Sequence, residues 1–172
     1  MGIMLTELGR LDEAEASCRR AIALKPDYAK AHNNLGNTLK ELRKYEKAEE
    51  SYVQAIALKP DYAEAHYNLG ITLRELGRLS EAEASFSTAL ELKPDFVEAH
   101  NNLGLTCTEL GKLDEAEASC RTAIALKSDF ADAHSTLGEI LLRKGRHQEG
   151  INENVLGDGV ITFDVNNGLS IL

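Results

Sequence analysis

The dipeptide Leu-Gly stands at residues 35–36, 69–70, 103–104 and 137–138, a strict spacing of 34 residues. Ala-His precedes each pair, at 31–32, 65–66, 99–100 and 133–134. The nonapeptide Leu11–Arg19, LDEAEASCR, returns unchanged as Leu113–Arg121, three periods later. A fixed period of this length restricts the chain to architectures in which one supersecondary unit is stacked on copies of itself. Within each period two helical patterns flank a short break, at Leu8-Gly9-Arg10, Leu76-Gly77-Arg78 and Leu110-Gly111-Lys112. Glycine there ends a helix by taking positive φ. The second helix stops near Leu-Lys-Pro-Asp (24–27, 58–61, 92–95), because proline has no N–H to continue the ladder. Each unit therefore reads helix, turn, helix, turn.

These residues resemble the tetratricopeptide repeat, whose 34-residue helix–turn–helix pattern asks for Leu-Gly, a bulky residue, Ala, an aromatic and Pro. Leu35, Gly36, Tyr45, Ala48, Tyr52, Ala55 and Pro60 fill it once. Leu69, Gly70, Gly77, Ala82, Phe86, Ala89 and Pro94 fill it again. The next unit keeps Leu103, Gly104, Gly111, Ala116 and Ala123 but has Cys120 in the aromatic slot and Ser128 for Pro, which predicts a weaker stop after Leu126. The resemblance implies an all-α, right-handed α-solenoid. It divides the chain into a partial unit at 1–28 and whole units at 29–62, 63–96 and 97–130. A degenerate unit or cap follows at 131–156, with its second helix frayed, and then an extended tail at 157–172. In that tail Val160–Val165 and Leu169–Leu172 flank Asn166-Asn167-Gly168, a hairpin signal that reads as the start of a missing domain or a strand docking elsewhere. Met1 falls inside a unit, so both ends suggest a fragment or a short reading frame. Met1–Thr6 fits a short N-acylation pattern, but Gly2 sits in the Leu-Gly register and is read as a packing residue.

Composition excludes several functions. The formal charge is −9, which provides no stripe of Lys and Arg to neutralise phosphates, so no nucleic-acid partner is expected. No apolar run approaches the length of a membrane span, and no secretory signal is visible, so no membrane association and a cytoplasmic location are expected. Cys18, Cys107 and Cys120 have no metal-ligand spacing and read as small core residues. His32, His66, His100 and His134 lie in register, but solenoid units sit ~10 Å apart while Zn–N bonds need ~2 Å, so no metal ladder is expected. They are read as packing residues. Paired carboxylates such as Glu13/Glu15 and Glu115/Glu117 read as a solvated face. No phosphate loop, nucleophile elbow or zinc-protease motif occurs, so neither an enzyme nor a cofactor is expected.

The polar residues that carry a functional expectation are Asn34, Asn68 and Asn102, one before each Leu-Gly pair on the first helix. A carboxamide both donates and accepts, so it matches a peptide backbone regardless of its side chains. Asn37, Lys30, Lys40, Tyr67, Ile71, Arg74 and Leu105 flank them. Tyr67, Ile71 and Leu105 would give apolar contact, and Lys30, Lys40 and Arg74 would favour acidic segments. The arrangement is similar to the repeats of O-linked N-acetylglucosamine transferases, whose asparagine ladder implies a grip on substrate backbone; Thr136 breaks it here. Chaperone-tail binding is not expected, since Asn33, Glu98 and Asn102 stand where that clamp needs cations. The expected function is a scaffold that binds an extended peptide or partner protein. The alternatives are the substrate-recruiting arm of a larger glycosyl-, sulfo- or methyltransferase, and self-association through uncapped solenoid ends.

Overall fold

The computed structural model describes residues 10–158, 161–164 and 168–171, with side chains described over 10–157. The readings placed on Gly2, on the break at Leu8-Gly9 and on the turn at Asn166-Asn167 lie outside the described residues. The chain divides into two compact units, residues 1–94 and 95–172. In the first, α1 (Leu11–Leu24), α2 (Ala29–Glu41), α3 (Tyr45–Leu58), α4 (Ala63–Glu75) and α5 (Leu79–Leu92) pack each on the next, and α2 also touches α4. In the second, α6 (Val97–Glu109), α7 (Leu113–Leu126), α8 (Ala131–Arg143) and α9 (His147–Asp158) do the same, and α6 touches α8. Beyond α9 the backbone of β1 (Ile161–Asp164) pairs antiparallel with β2 (Gly168–Ile171), Ile161 opposite Ile171.

Every first helix ends in the same backbone lock. The N–H of Lys44, Arg78, Lys112 and Arg146 reaches back to the carbonyl of Leu39, Leu73, Cys107 and Leu141 at 2.8–2.9 Å. This six-to-one bond requires a left-handed residue one position earlier. Gly77, Gly111 and Gly145 supply it at φ 74°, 78° and 78°, and in the first turn Arg43 does so at φ 56°. A side chain in that conformation costs about 1–2 kcal/mol. The second helices end at Leu24, Leu58, Leu92 and Leu126 alike, with Lys25, Lys59 and Lys127 at φ near −142°. With Ser128 in place of Pro the helix still ends at the equivalent position. The Phe130 N–H bonds the Lys127 carbonyl at 3.2 Å, as Tyr28 and Tyr62 do with Lys25 and Lys59, so the turn holds without proline.

Close approach within each helix pair follows from the small residues. Ala48, Ala82 and Ala116 are fully buried. A Cβ on Gly36 would lie 2.5 Å from Cε1 of Tyr52, and one on Gly70 would lie 2.7 Å from Cε1 of Phe86. On Gly104 it would meet the Cys120 sulfur. Tyr52, Phe86 and Cys120 are themselves fully buried, so each aromatic-slot side chain rests on the bare face of its glycine. In the first unit Cys18, Leu35, Leu39, Ala48 and Tyr52 form one core cluster; in the second, Cys107, Ala116, Cys120, Leu137, Ile140 and Leu141 form another. In the last pair α9 is helical over His147–Asp158 and packs on α8. A Cβ on Gly138 would strike Asn154, and one on Gly150 would lie 2.8 Å from the Gly138 carbonyl oxygen, so Gly150 and Asn154 stand in the Ala and aromatic places of the other units.

Candidate peptide-binding face

The candidate polar residues sit on the first helices, and each of the two compact units carries its own set. On α2 and α4, Asn34, Asn37, Lys40, Tyr67, Asn68, Ile71 and Arg74 are half-buried and Lys30 is exposed. On α6, Asn102 and Leu105 are half-buried. A pocket of about 340 Å³ in the first unit brings together Lys40 and Ile71 with Glu41, Arg43, Tyr45 and Glu75.

The ladder asparagines are not equivalent. Asn34, half-buried, makes no side-chain hydrogen bond among the described residues. The Asn68 Nδ2 donates to Oδ1 of Asn33 at 3.1 Å, and Nδ2 of Asn102 donates to the carbonyl of Glu98 at 2.9 Å. The Asn37 Oδ1 accepts from the Tyr52 hydroxyl at 2.8 Å, which ties that carboxamide to the core. Tyr67 lies tilted against Phe86, ring centroids 5.9 Å apart. Asn33 and Asn101, which register places beside the ladder, are buried instead, each 5% exposed. Asn101 is the counterpart of Asn33, but the residue 35 positions on is Thr136 rather than Asn. The Thr136 hydroxyl donates to the Asp132 carbonyl instead, and the buried Asn101 Oδ1 has no hydrogen-bond partner among the described residues. The pairing at a separation of 35 was the available signal.

The carboxylates also depart from the solvated reading. Glu15 bonds Lys44 at 2.8 Å, Glu49 bonds Arg78 at 2.7 Å and Glu117 bonds Arg146 at 2.6 Å, in each case 29 residues on. Glu117 is buried and also meets Lys144 at 2.6 Å and Arg121 at 2.7 Å. Lys144, acting first, then Arg146 and Arg121 hold its carboxyl below the usual range against the cost of burial. These pairs join a second helix to the turn of the following helix pair. Glu13 and Glu115 do remain exposed.

The histidines fasten turns rather than pack as bare rings. Nε2 of His32, His66 and His134 donates to the carbonyl of Pro26, Pro60 and Ser128 at 2.9, 3.0 and 2.9 Å. His134 alone among these three also places Nδ1 2.6 Å from a Glu153 carboxylate oxygen on α9. An acceptor at each nitrogen favours the imidazolium form. Burial opposes that charge, but the Ser128 carbonyl and Glu153 outweigh it, and its pKa is raised above 6.5. Stability from this raised pKa is fully present below the unfolded-state value and is lost as pH rises through the folded-state value. We expect the Tm advantage of wild type over Glu153→Gln to be full in mildly acidic solution and to shrink as pH rises above about 6.5. A pH-independent difference would assign the contact no ionic character.

The thiols are quiet. Burial, then Cys107, pushes the Cys120 thiol up to about 12, and burial also raises Cys18. A thiol at such a pKa is not a nucleophile near neutral pH. Among the described residues no helix is long and apolar enough to cross a membrane.

Repeated helix pairs with glycine–aromatic contacts, backbone-locked turns and polar side chains at a fixed register define an α-helical repeat module. The chain belongs to the tetratricopeptide repeat family: a tetratricopeptide repeat profile matches residues 33–95 and 70–129, and a second TPR profile matches 2–42. Among solved structures it is similar to MamA, with 23% identity and a TM-score of 0.83 over 91% of this chain and 92% of that one. YrrB, described as a TPR protein with an unusual peptide-binding site, has 22% identity and a TM-score of 0.77 over 92% and 84%. TTC0263, a thermophilic TPR protein of Thermus thermophilus, has 28% identity and a TM-score of 0.73 over 96% and 90%. No curated protein matches the sequence.

Proposed function

We propose that this chain is a protein–protein interaction scaffold that takes up an extended peptide, or an extended segment of a partner protein, along its first helices. The observation that carries the reading is the unsatisfied carboxamide of Asn34 on the inner face of α2, with Asn68 in the matching place on α4. Asn102 holds the same register on α6. The Asn68 amide nitrogen donates to Asn33, and its oxygen would accept a peptide N–H. Backbone groups are common to all peptides, so recognition through them is broad and modest in strength, with Kd about micromolar. Tyr67, Ile71 and Leu105 supply apolar contact, while Lys30, Lys40 and Arg74 favour acidic neighbours. The resemblance of the Asn rows to O-linked N-acetylglucosamine transferase repeats supports the same use, as does the peptide site described for YrrB.

The test is a peptide-array screen of the purified chain against Asn34→Ala/Asn68→Ala/Asn102→Ala. We expect the variant to stay helical and to lose most binding, about tenfold or more, across peptides of unrelated sequence. Unchanged binding would make the asparagines incidental to recognition.

A further inference from the structure

The turn after α2 differs from its counterparts in a way that costs stability. At three equivalent positions glycine takes the left-handed conformation, and at Gly77, Gly111 and Gly145 no atom lies within 4 Å of where a Cβ would be. Space therefore does not select glycine there; the backbone does. Arg43 holds the same conformation at φ 56° with a full side chain. Strain retained at a single position is a pointer to function when the same residue also faces a site. Arg43 does face one, as part of the 340 Å³ pocket with Lys40, Tyr45 and Ile71. The neighbouring turn cations Lys44, Arg78 and Arg146 are each engaged by a glutamate. Arg43 and Lys40 have no such partner among the described residues.

We infer that Lys40 and Arg43 form a carboxylate subsite, which receives one Asp or Glu side chain of a bound peptide while an adjacent apolar residue rests on Ile71 and Tyr45. The inference rests on the peptide-binding reading and adds the ligand's chemistry to it. A guanidinium and an ammonium converging on one carboxylate give charge-assisted hydrogen bonds, which are stronger than neutral ones. Glu41 and Glu75 line the same pocket. Their repulsion of a second negative charge makes the subsite select a single acidic residue over a polyacidic tract. Arginine at position 43 thus trades turn stability for ligand charge.

That trade gives the experiment two readouts that move in opposite directions. The probes are alanine–serine decapeptides carrying one Leu-Glu pair, the Leu-Gln counterpart, or four consecutive Glu, titrated into the whole chain by calorimetry at low salt. Wild type is expected to bind the Leu-Glu peptide about tenfold more tightly than the Leu-Gln peptide, and more tightly than the four-Glu peptide. Arg43→Gly is expected to lose that preference while Tm rises by about 2–4 °C. Arg43→Gln, which keeps the backbone conformation, is expected to lose the preference with no such rise. Equal binding of the Glu and Gln peptides by wild type, or a preference that survives Arg43→Gly, overturns the subsite. Peptides that bind, and weaken with the triple asparagine variant but not with Arg43→Gly, remove this inference alone. Failure of wild type to bind any peptide removes the peptide-binding reading as well.

Discussion

Gly70→Ala is expected to destabilise the first unit by about 2–3 kcal/mol, a large cost for one added methyl group. The new carbon would lie 2.7–2.9 Å from three atoms of the Phe86 ring, which is fully buried and has no free direction in which to move. Phe86→Ala is expected to cost about 3–5 kcal/mol by leaving a cavity between α4 and α5. The informative variant is the pair. With the ring removed, the alanine at 70 meets no clash, and its helix propensity exceeds that of glycine by about 1 kcal/mol. Gly70→Ala should therefore be neutral or mildly stabilising in the Phe86→Ala background. Urea titrations of the four proteins, followed by far-UV circular dichroism, give the coupling energy directly. Strict additivity would mean that Gly70 is not there to admit the ring. The same clash holds at Gly36, where Tyr52 is further fixed by its hydroxyl bond to Asn37.

The second large effect has the opposite sign. Thr136→Asn is expected to stabilise the second unit by about 1 kcal/mol, because a buried acceptor left unpaired costs about 1–3 kcal/mol. The template is the first unit, where Nδ2 of Asn68 meets Oδ1 of Asn33 at 3.1 Å across the same separation of 35 residues. In the variant, the nitrogen of the introduced carboxamide would reach the Asn101 oxygen that now has no donor. The loss of the Thr136 hydroxyl bond to Asp132 offsets part of the gain, since a helical carbonyl already accepts a backbone N–H. Amide exchange should slow on both α6 and α8. An unchanged midpoint with unchanged exchange would show that the orphan oxygen is paired with water. Three further measurements, on the Glu153→Gln pH series, the triple asparagine variant and Arg43, bear on the last helix pair, the polar face and the carboxylate subsite.

The helix boundaries were legible because their causes are local. Each stop is a Gly or a Pro at a fixed place in a 34-residue period, and a helix ends wherever its ladder loses a donor or its backbone turns left-handed. The exceptions to those local rules are instructive. The helix before Ser128 ends where the others end before Pro, in a turn that makes the same contacts, from the Phe130 N–H and from His134. Arg43 turns as glycine does, because the six-to-one bond from Lys44 to Leu39 demands it. Neither contact is visible in the residue that stands there.

The site was legible in outline only. The Asn row and its neighbours were found by register, but their hydrogen-bond states were not. Whether Asn34 is open while Asn68 and Asn37 are engaged depends on Asn33 and Tyr52, which are distant in sequence or buried by another helix. The carboxylates failed for the same reason. A Glu on a helix surface reads as solvated until the turn of the following helix pair sets Lys44, Arg78 or Arg146 beside it.

Residue type at a fixed period was enough to establish the repeat, the helix pairs, the small-against-large contacts and the family. Which polar groups are spent inside the protein, and which remain for a partner, emerged only once the helices were packed. A hydrogen bond or ion pair is a property of two groups at a distance of about 3 Å, and periodicity fixes only one group at a time.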